Sequence, residues 1–238
     1  MKQATTQARA LLMSSSGYLD MPYLEQPKPF IQAFLKDLGL DREEILFLPF
    51  AGIRQGFDAY EKRVKDILEL DIASIHKKPD MKEALKSAKV VIAGGGNTFA
   101  LLHDLYKYGL IELLQERCAK DLPFLGWSAG ANIGGLGIFT TNDMPIIAPA
   151  SFKAIGVLKA VINPHFISGK AHPLHNGETR EERLEEYLLL NQDASIYALN
   201  EGSSIEVKGL ELKINGPALL FRHKQEPKAL EQGIWMKH

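Results

Sequence analysis

The densest group of chemically useful residue types is Gly126-Trp127-Ser128-Ala129-Gly130. It fits G-x-S-x-G, in which a serine occupies a sharp strand-to-helix turn and small neighbours let the backbone fold tightly around it. Pro123-Phe-Leu-Gly-Trp127 reads as the strand, and the small residues Ala129, Gly130 and Ala131 open a helix. A helix N-terminus there offers N–H groups to a developing oxyanion. The same residues also fit a plain βα turn with an N-capping serine. Strand before and small residues after favour Ser128 as a nucleophile.

A serine nucleophile needs a base. Of seven histidines, His165 in Val161-Ile-Asn-Pro-His-Phe166 follows a strand-like run, and sites gather at the carboxyl ends of parallel strands. A histidine satisfying a loop carbonyl fits that position equally well. His172 and His175 lie in a polar stretch and read as solvated. With His165 they match no zinc spacing, so no metal is expected. The base in turn needs an orienting carboxylate. Glu201 in Asn200-Glu201-Gly202 and Asp143 in Thr140-Thr-Asn-Asp-Met-Pro145 are the candidates. Each also fits a turn acid, and the residues alone leave their order open.

Gly94-Gly95-Gly96-Asn97 closes the β-branched run 89–93. Consecutive glycine N–H groups can form an anion nest. A dinucleotide site fails on spacing, because Phe99 stands where G-x-G-x-x-G needs its third glycine, and no phosphate-loop lysine motif exists. The segment is read as an oxyanion or substrate cradle with Asn97 as a substrate contact. Its plain alternative is a tight turn needing positive φ. Gly177-Glu-Thr-Arg180 opens a helix with Thr179 as N-cap, and the Arg180 guanidinium can hold a substrate carboxylate bidentately.

The elements that must position these residues alternate. Strands are expected at 10–14, 45–49, 71–76, 89–93 and 123–127, and helices at 32–38, 57–70, 80–87, from about 97, and 111–119. Alternation implies an α/β fold, a mostly parallel sheet flanked by helices. The short β runs 195–199, 204–207, 210–214 and 218–221 look like antiparallel strands appended to the sheet edge. No linker separates the halves, so residues 1–238 are read as a single domain. The 238 residues are 45% hydrophobic and 24% charged with a formal net charge of −1. That composition is globular, and without a basic excess nucleic-acid binding is not expected. The one cysteine, Cys118, excludes an internal disulfide. Neither a targeting segment nor a membrane-length apolar run is seen, and a cytoplasmic protein is expected.

Taken together, the motifs resemble a known family. Phe47-Leu-Pro-Phe-Ala-Gly52, Gly94-Gly-Gly-Asn-Thr-Phe99, Gly126-Trp-Ser-Ala-Gly-Ala-Asn132, Thr140-Thr-Asn-Asp-Met-Pro-Ile146, Asn163-Pro-His-Phe166, Gly177-Glu-Thr-Arg180 and Glu201-Gly202 run in order across 45–205. They resemble the serine peptidases that comprise aspartyl dipeptidases and cyanophycinases. The resemblance implies a flavodoxin-like, class I glutamine amidotransferase-like fold and cleavage of dipeptides with an N-terminal aspartate, without metal or cofactor. It implies Ser128 as nucleophile, His165 as base, Glu201 as favoured orienter with Asp143 also in the site, Gly95 and Ala129 N–H groups for the oxyanion, and Arg180 for the aspartyl carboxylate. The expected partner is a small peptide, with no nucleic acid or membrane, in a monomer or homodimer. The alternatives are a cyanophycinase-like or other serine hydrolase, and a non-catalytic small-ligand-binding protein.

Overall fold

The structure, a computed structural model, describes residues 7–41, 43–169 and 176–237. Five parallel strands form its centre: β1 (Arg9–Met13), β2 (Ile45–Leu48), β3 (Ile72–Ser74), β4 (Val91–Ala93) and β5 (Phe124–Trp127). They lie side by side in the order β1-β5-β4-β2-β3. Their runs are apolar almost without interruption because both faces are covered. On one face, Leu11, Phe47, Ile92, Leu125 and Trp127 pack against α1 (Lys28–Asp37) and α2 (Phe57–Leu68). On the other, Ala10, Leu12, Leu48, Val91 and Phe124 pack against α3 (Met81–Ser87), α4 (Thr98–Lys107) and α5 (Ile111–Lys120). The alternation of side chains along each strand divides the core in two.

Local signals explain most boundaries. Asp80 Oδ1 accepts from the N–H groups of Lys82 and Glu83 and starts α3, as its sequence position predicts. Asn97 Oδ1 accepts from Ala100 N at the start of α4. The helix expected at 32–38 begins earlier, at Lys28, with Pro27 as its N-cap residue. Proline is tolerated in a first turn because the N–H it lacks has no helical partner there. The strand expected at 71–76 is shorter, since Ile75–Lys77 turns into a 3₁₀ helix.

The C-terminal third departs from the sequence expectation. Of its strands, β8 (Ser204–Lys208) and β9 (Glu211–Asn215) join the β1 edge as antiparallel neighbours, followed by β12 (Trp235–Lys237). But β7 (Ser195–Leu199) and β10 (Ala218–Arg222) belong to a second sheet with β6 (Val161–Asn163) and β11 (Lys228–Ala229), in the order β11-β10-β7-β6. β6 and β7 are parallel, joined by a crossover containing α7 (Arg180–Leu190). α7 packs Leu184 and Leu188 against Val161, Ile196 and Phe221 in a third core cluster. A short strand reads alike in either sheet, because its own pattern does not name its neighbour.

A four-residue helix, α6 (Ala129–Asn132), lies directly on the strand ends. A Cβ on Gly130 would stand 2.1 Å from the Ala93 carbonyl oxygen, and one on Gly126 would stand 2.4 Å from the Gly130 carbonyl. These two glycines let backbone rest on backbone and set the height of residue 128 above the sheet. Gly130→Ala should therefore destabilise the fold by about 1–3 kcal/mol, outweighing the ~1 kcal/mol helix preference of alanine. Urea unfolding measures it, and a midpoint at or above wild type would contradict the close contact.

Candidate active site

Ser128, at the end of β5, has φ 54° and ψ −115°. A non-glycine residue there is strained by about 1–3 kcal/mol. Although Ser128 sits at the N-cap position of α6, its side chain makes no capping bond. Its Oγ instead lies 2.7 Å from Nε2 of His165. The other ring nitrogen, Nδ1, lies 2.6 Å from Oε1 of Glu201. An ionised carboxylate only accepts, so Nδ1 carries the proton and Nε2 is free to accept from the serine hydroxyl. Burial works to raise the Glu201 carboxyl, but hydrogen bonds from His165 and Ser15 outweigh it and hold it below the usual carboxylate range.

The parallel pairing of β6 with β7 places this pair. Asn163 is in register with Ala198, so the loops carrying His165 and Glu201 leave the sheet side by side. His165 also has positive φ, 55°. Its backbone is fixed from the first sheet. Ser14, fully buried at the end of β1, accepts from His165 N at 2.8 Å and donates to Leu199 O at 2.9 Å.

Asp143 is elsewhere. Its Oδ2 accepts from Thr98 N at 2.7 Å and from Thr98 Oγ1 at 2.5 Å, at the N-terminus of α4. Among the described residues Oδ1 has no hydrogen-bond partner. Asp143 lines a cleft of ≈ 570 Å³ together with Gly95, Gly96, Asn97, Ile53 and Ile146. Asn97 is held there by its own side chain, which donates to Met144 O at 2.9 Å.

The glycine turn lies against the nucleophile candidate. A Cβ on Gly95 would come within 3.0 Å of Ser128 Cβ. Gly96, at φ 137°, passes so close to Ala51 that a Cβ would stand 2.1 Å from its carbonyl oxygen. The N–H groups of Gly95, Gly96 and Ala129 have no partner among the described residues. They are donors without an acceptor beside a serine hydroxyl.

Arg180 opens α7, where Thr179 and Glu182 form the capping box. Its Nη1 donates to Asn142 Oδ1, which also accepts from Asn163 Nδ2 at 3.0 Å. Asn142 in turn donates to Pro164 O at 2.8 Å, one residue before His165. Burial, and then the charge of Arg183, press the Arg180 guanidinium below its ordinary range. Among the described residues no carboxylate pairs with it. Glu181 offsets part of this lowering through space, and a half-buried guanidinium with no carboxylate at ion-pairing distance is chemically suited to an anion. Sequence reasoning missed Ser14, Asn142 and Asn163, since a lone serine or asparagine carries no signal of its own. His172 and His175 fall outside the described residues. Among those described, no group of three His, Cys, Asp or Glu residues could hold a metal. Cys118 is buried on α5 with its thiol pushed up to about 12 by burial, which leaves it inert.

A serine in a nucleophile elbow, hydrogen-bonded to a histidine that is itself bonded to an acid, on a mostly parallel sheet defines a hydrolase-type site. The chain belongs to Peptidase family S51, whose family model matches residues 10–215, and it is a peptidase. Its relatives include Peptidase E of Haemophilus influenzae strain PittGG, 46% identical over 91% of this chain and 93% of that protein. Peptidase E of Shewanella oneidensis is 44% identical over 96% of this chain and 97% of its own. The fold is shared with the crystal structure of a peptidase from an acI-B1 Actinobacterium, with a TM-score of 0.71 at 16% identity over 99% of both chains.

The strained φ of Ser128 leads to a stability test. Ser128→Gly should be more stable than Ser128→Ala by about 1 kcal/mol, because only glycine relaxes at that geometry. Equal unfolding midpoints would show that the turn is unstrained.

Proposed function

We propose that this peptidase is a serine dipeptidase that hydrolyses Asp-Xaa dipeptides through an acyl-enzyme. The observation that carries the mechanism is the chain Glu201–His165–Ser128, with spacings of 2.6 and 2.7 Å. Ser128 Oγ attacks the scissile carbonyl carbon as its proton passes to His165 Nε2. The carbonyl oxygen becomes an oxyanion held by the free N–H groups of Gly95 and Ala129. Imidazolium, stabilised by Glu201, protonates the leaving amine. Water, deprotonated by the same nitrogen, then releases the acyl group and restores the serine.

Substrate selection follows from two charges. Arg180 takes the aspartyl side-chain carboxylate, which supports the preference that the family resemblance implies. Asp143, with Oδ1 unpaired beside the cleft, takes the free α-ammonium. Asn97 adds a polar contact on the same wall. No helix among the described residues is long and apolar enough to cross a membrane, and the reading places the enzyme in the cytoplasm with small peptides as its partners, as a monomer or homodimer.

The decisive assay compares Asp-Leu with Leu-Leu, Glu-Leu and acetyl-Asp-Leu, using wild type and Ser128→Ala. Cleavage is expected for Asp-Leu only, abolished in the variant and indifferent to chelator. Cleavage that survives Ser128→Ala, or equal turnover of Leu-Leu, would overturn the reading. Arg180→Ala should lower kcat/KM for Asp-Leu by about 2 kcal/mol or more, roughly 30-fold. Retained aspartyl preference would remove Arg180 from the subsite.

The two acids should separate kinetically. Glu201→Gln is expected to lower kcat by about 100-fold or more with little change in KM, whereas Asp143→Asn should act mainly on KM. The reverse pattern would exchange their roles.

A further inference from the structure

Outside the acid–base chain, one buried group touches the cradle. Tyr60 of α2 donates its hydroxyl proton to the Gly95 carbonyl oxygen at 2.8 Å. Tyr23 lies 3.1 Å from the Tyr60 oxygen, and Trp127 Nε1 lies 3.2 Å from the Tyr23 oxygen. The direction of this relay is fixed at both ends. Indole nitrogen can only donate and a carbonyl oxygen can only accept. Each hydroxyl proton therefore points from Trp127 toward Gly95.

We propose that Tyr60 is a positioning residue for the oxyanion cradle, holding the Gly95–Gly96 peptide through a hydrogen-bond relay anchored on Trp127, the residue before Ser128. This rests on the reading of Ser128 as a nucleophile. The relay runs from one half of the oxyanion site to the other. Trp127 is the last residue of β5, whose continuation presents the Ala129 N–H. Gly95 presents the facing N–H through the preceding peptide, which hinges on the Cα whose carbonyl Tyr60 holds. A trans peptide sets its carbonyl and N–H antiparallel, so a held Gly95 carbonyl also fixes where the Gly96 N–H points.

The tyrosine cannot shift to follow a loose loop. A Cβ on Gly52 would stand 2.3 Å from its Cδ1, and one on Gly94 2.3 Å from its hydroxyl oxygen. The ring is lodged between two glycines and against Phe47, edge to face at 5.0 Å. Arg63 covers the Tyr23 ring at 3.8 Å from its centroid. Burial raises the Tyr60 phenol well above its ordinary range and raises that of Tyr23, which keeps both relay protons in place. Glycines give the cradle its close approach to Ser128 but no rigidity. The relay supplies the rigidity.

The test uses Tyr60→Phe, which keeps the ring and removes the donor. One readout is the rate at which a fluorophosphonate labels Ser128. There the Oγ–P bond forms, fluoride leaves, and the serine proton passes to His165. A second is kcat and KM on Asp-Leu, and a third is competitive inhibition by the product L-aspartate. Labelling rate and kcat should fall together by about 10–100-fold, with KM and product inhibition within about twofold of wild type. Tyr23→Phe should show a smaller loss of the same kind. Labelling at the wild-type rate in folded Tyr60→Phe would overturn the proposal, as would a loss confined to KM. If Tyr60→Phe does not fold, Tyr23→Phe decides, and an unchanged labelling rate there overturns the relay. Wild-type labelling without Asp-Leu cleavage would refute the substrate reading and still leave the variant comparison to decide Tyr60.

Discussion

One buried hydroxyl holds the two sheets in the arrangement that everything else needs. Ser14 ends the first strand of the large sheet, and its Oγ meets both His165 N and Leu199 O of the small one. A serine hydroxyl can donate once and accept besides, and here both capacities are used inside the protein. Ser128 belongs to the large sheet, while His165 and Glu201 follow strands of the small one. Their hydrogen bonds tolerate only tenths of an ångström. Sheet docking defined by apolar contact alone has no such directional requirement. Ser14 N also donates to Ser203 O, which pins the turn that carries Glu201 and Gly202.

Around that joint the structure concentrates what is unfavourable elsewhere. Ser128 and His165 have left-handed φ, and among the described residues three backbone donors lie without acceptors and the Arg180 guanidinium lies without an ion-paired carboxylate. Each of these costs free energy in the unliganded state. They gather around one serine and its histidine, with Arg180 tied in through Asn142 and Pro164. The surrounding fold is correspondingly well packed, with Phe47, Tyr60 and Trp127 buried beneath the site.

Much of this was legible in the residues. Apolar runs closed by glycine or proline located the five parallel strands, because strands covered on both faces need no alternation. The elbow at Ser128 and the cap at Thr179 followed from residue types that such backbone geometry favours. Two features were not legible for physical reasons. The split of the C-terminal strands between two sheets depends on pairing partners, to which a five-residue apolar run is indifferent. The choice between Glu201 and Asp143 depends on which loop faces His165, set by the parallel register of β6 and β7. Tyr23 and Tyr60 carry no motif either, since their hydrogen bonds to each other, to Trp127 and to Gly95 join segments far apart in the chain.

The pairing of the first strand also bears on the order in which the site can assemble. β1 lies between β5 and β8, and its last residue, Met13, is matched with Trp127 on one side and Ser204 on the other. One strand is therefore complete only when residues far along the chain have paired on both of its sides. Ser128 precedes His165 and Glu201 in the chain, and the joint at Ser14 closes only after both sheets exist. Such long-range pairing slows folding. It also ties the meeting of Ser128, His165 and Glu201 to the completed fold, because the joint at Ser14 draws on both sheets.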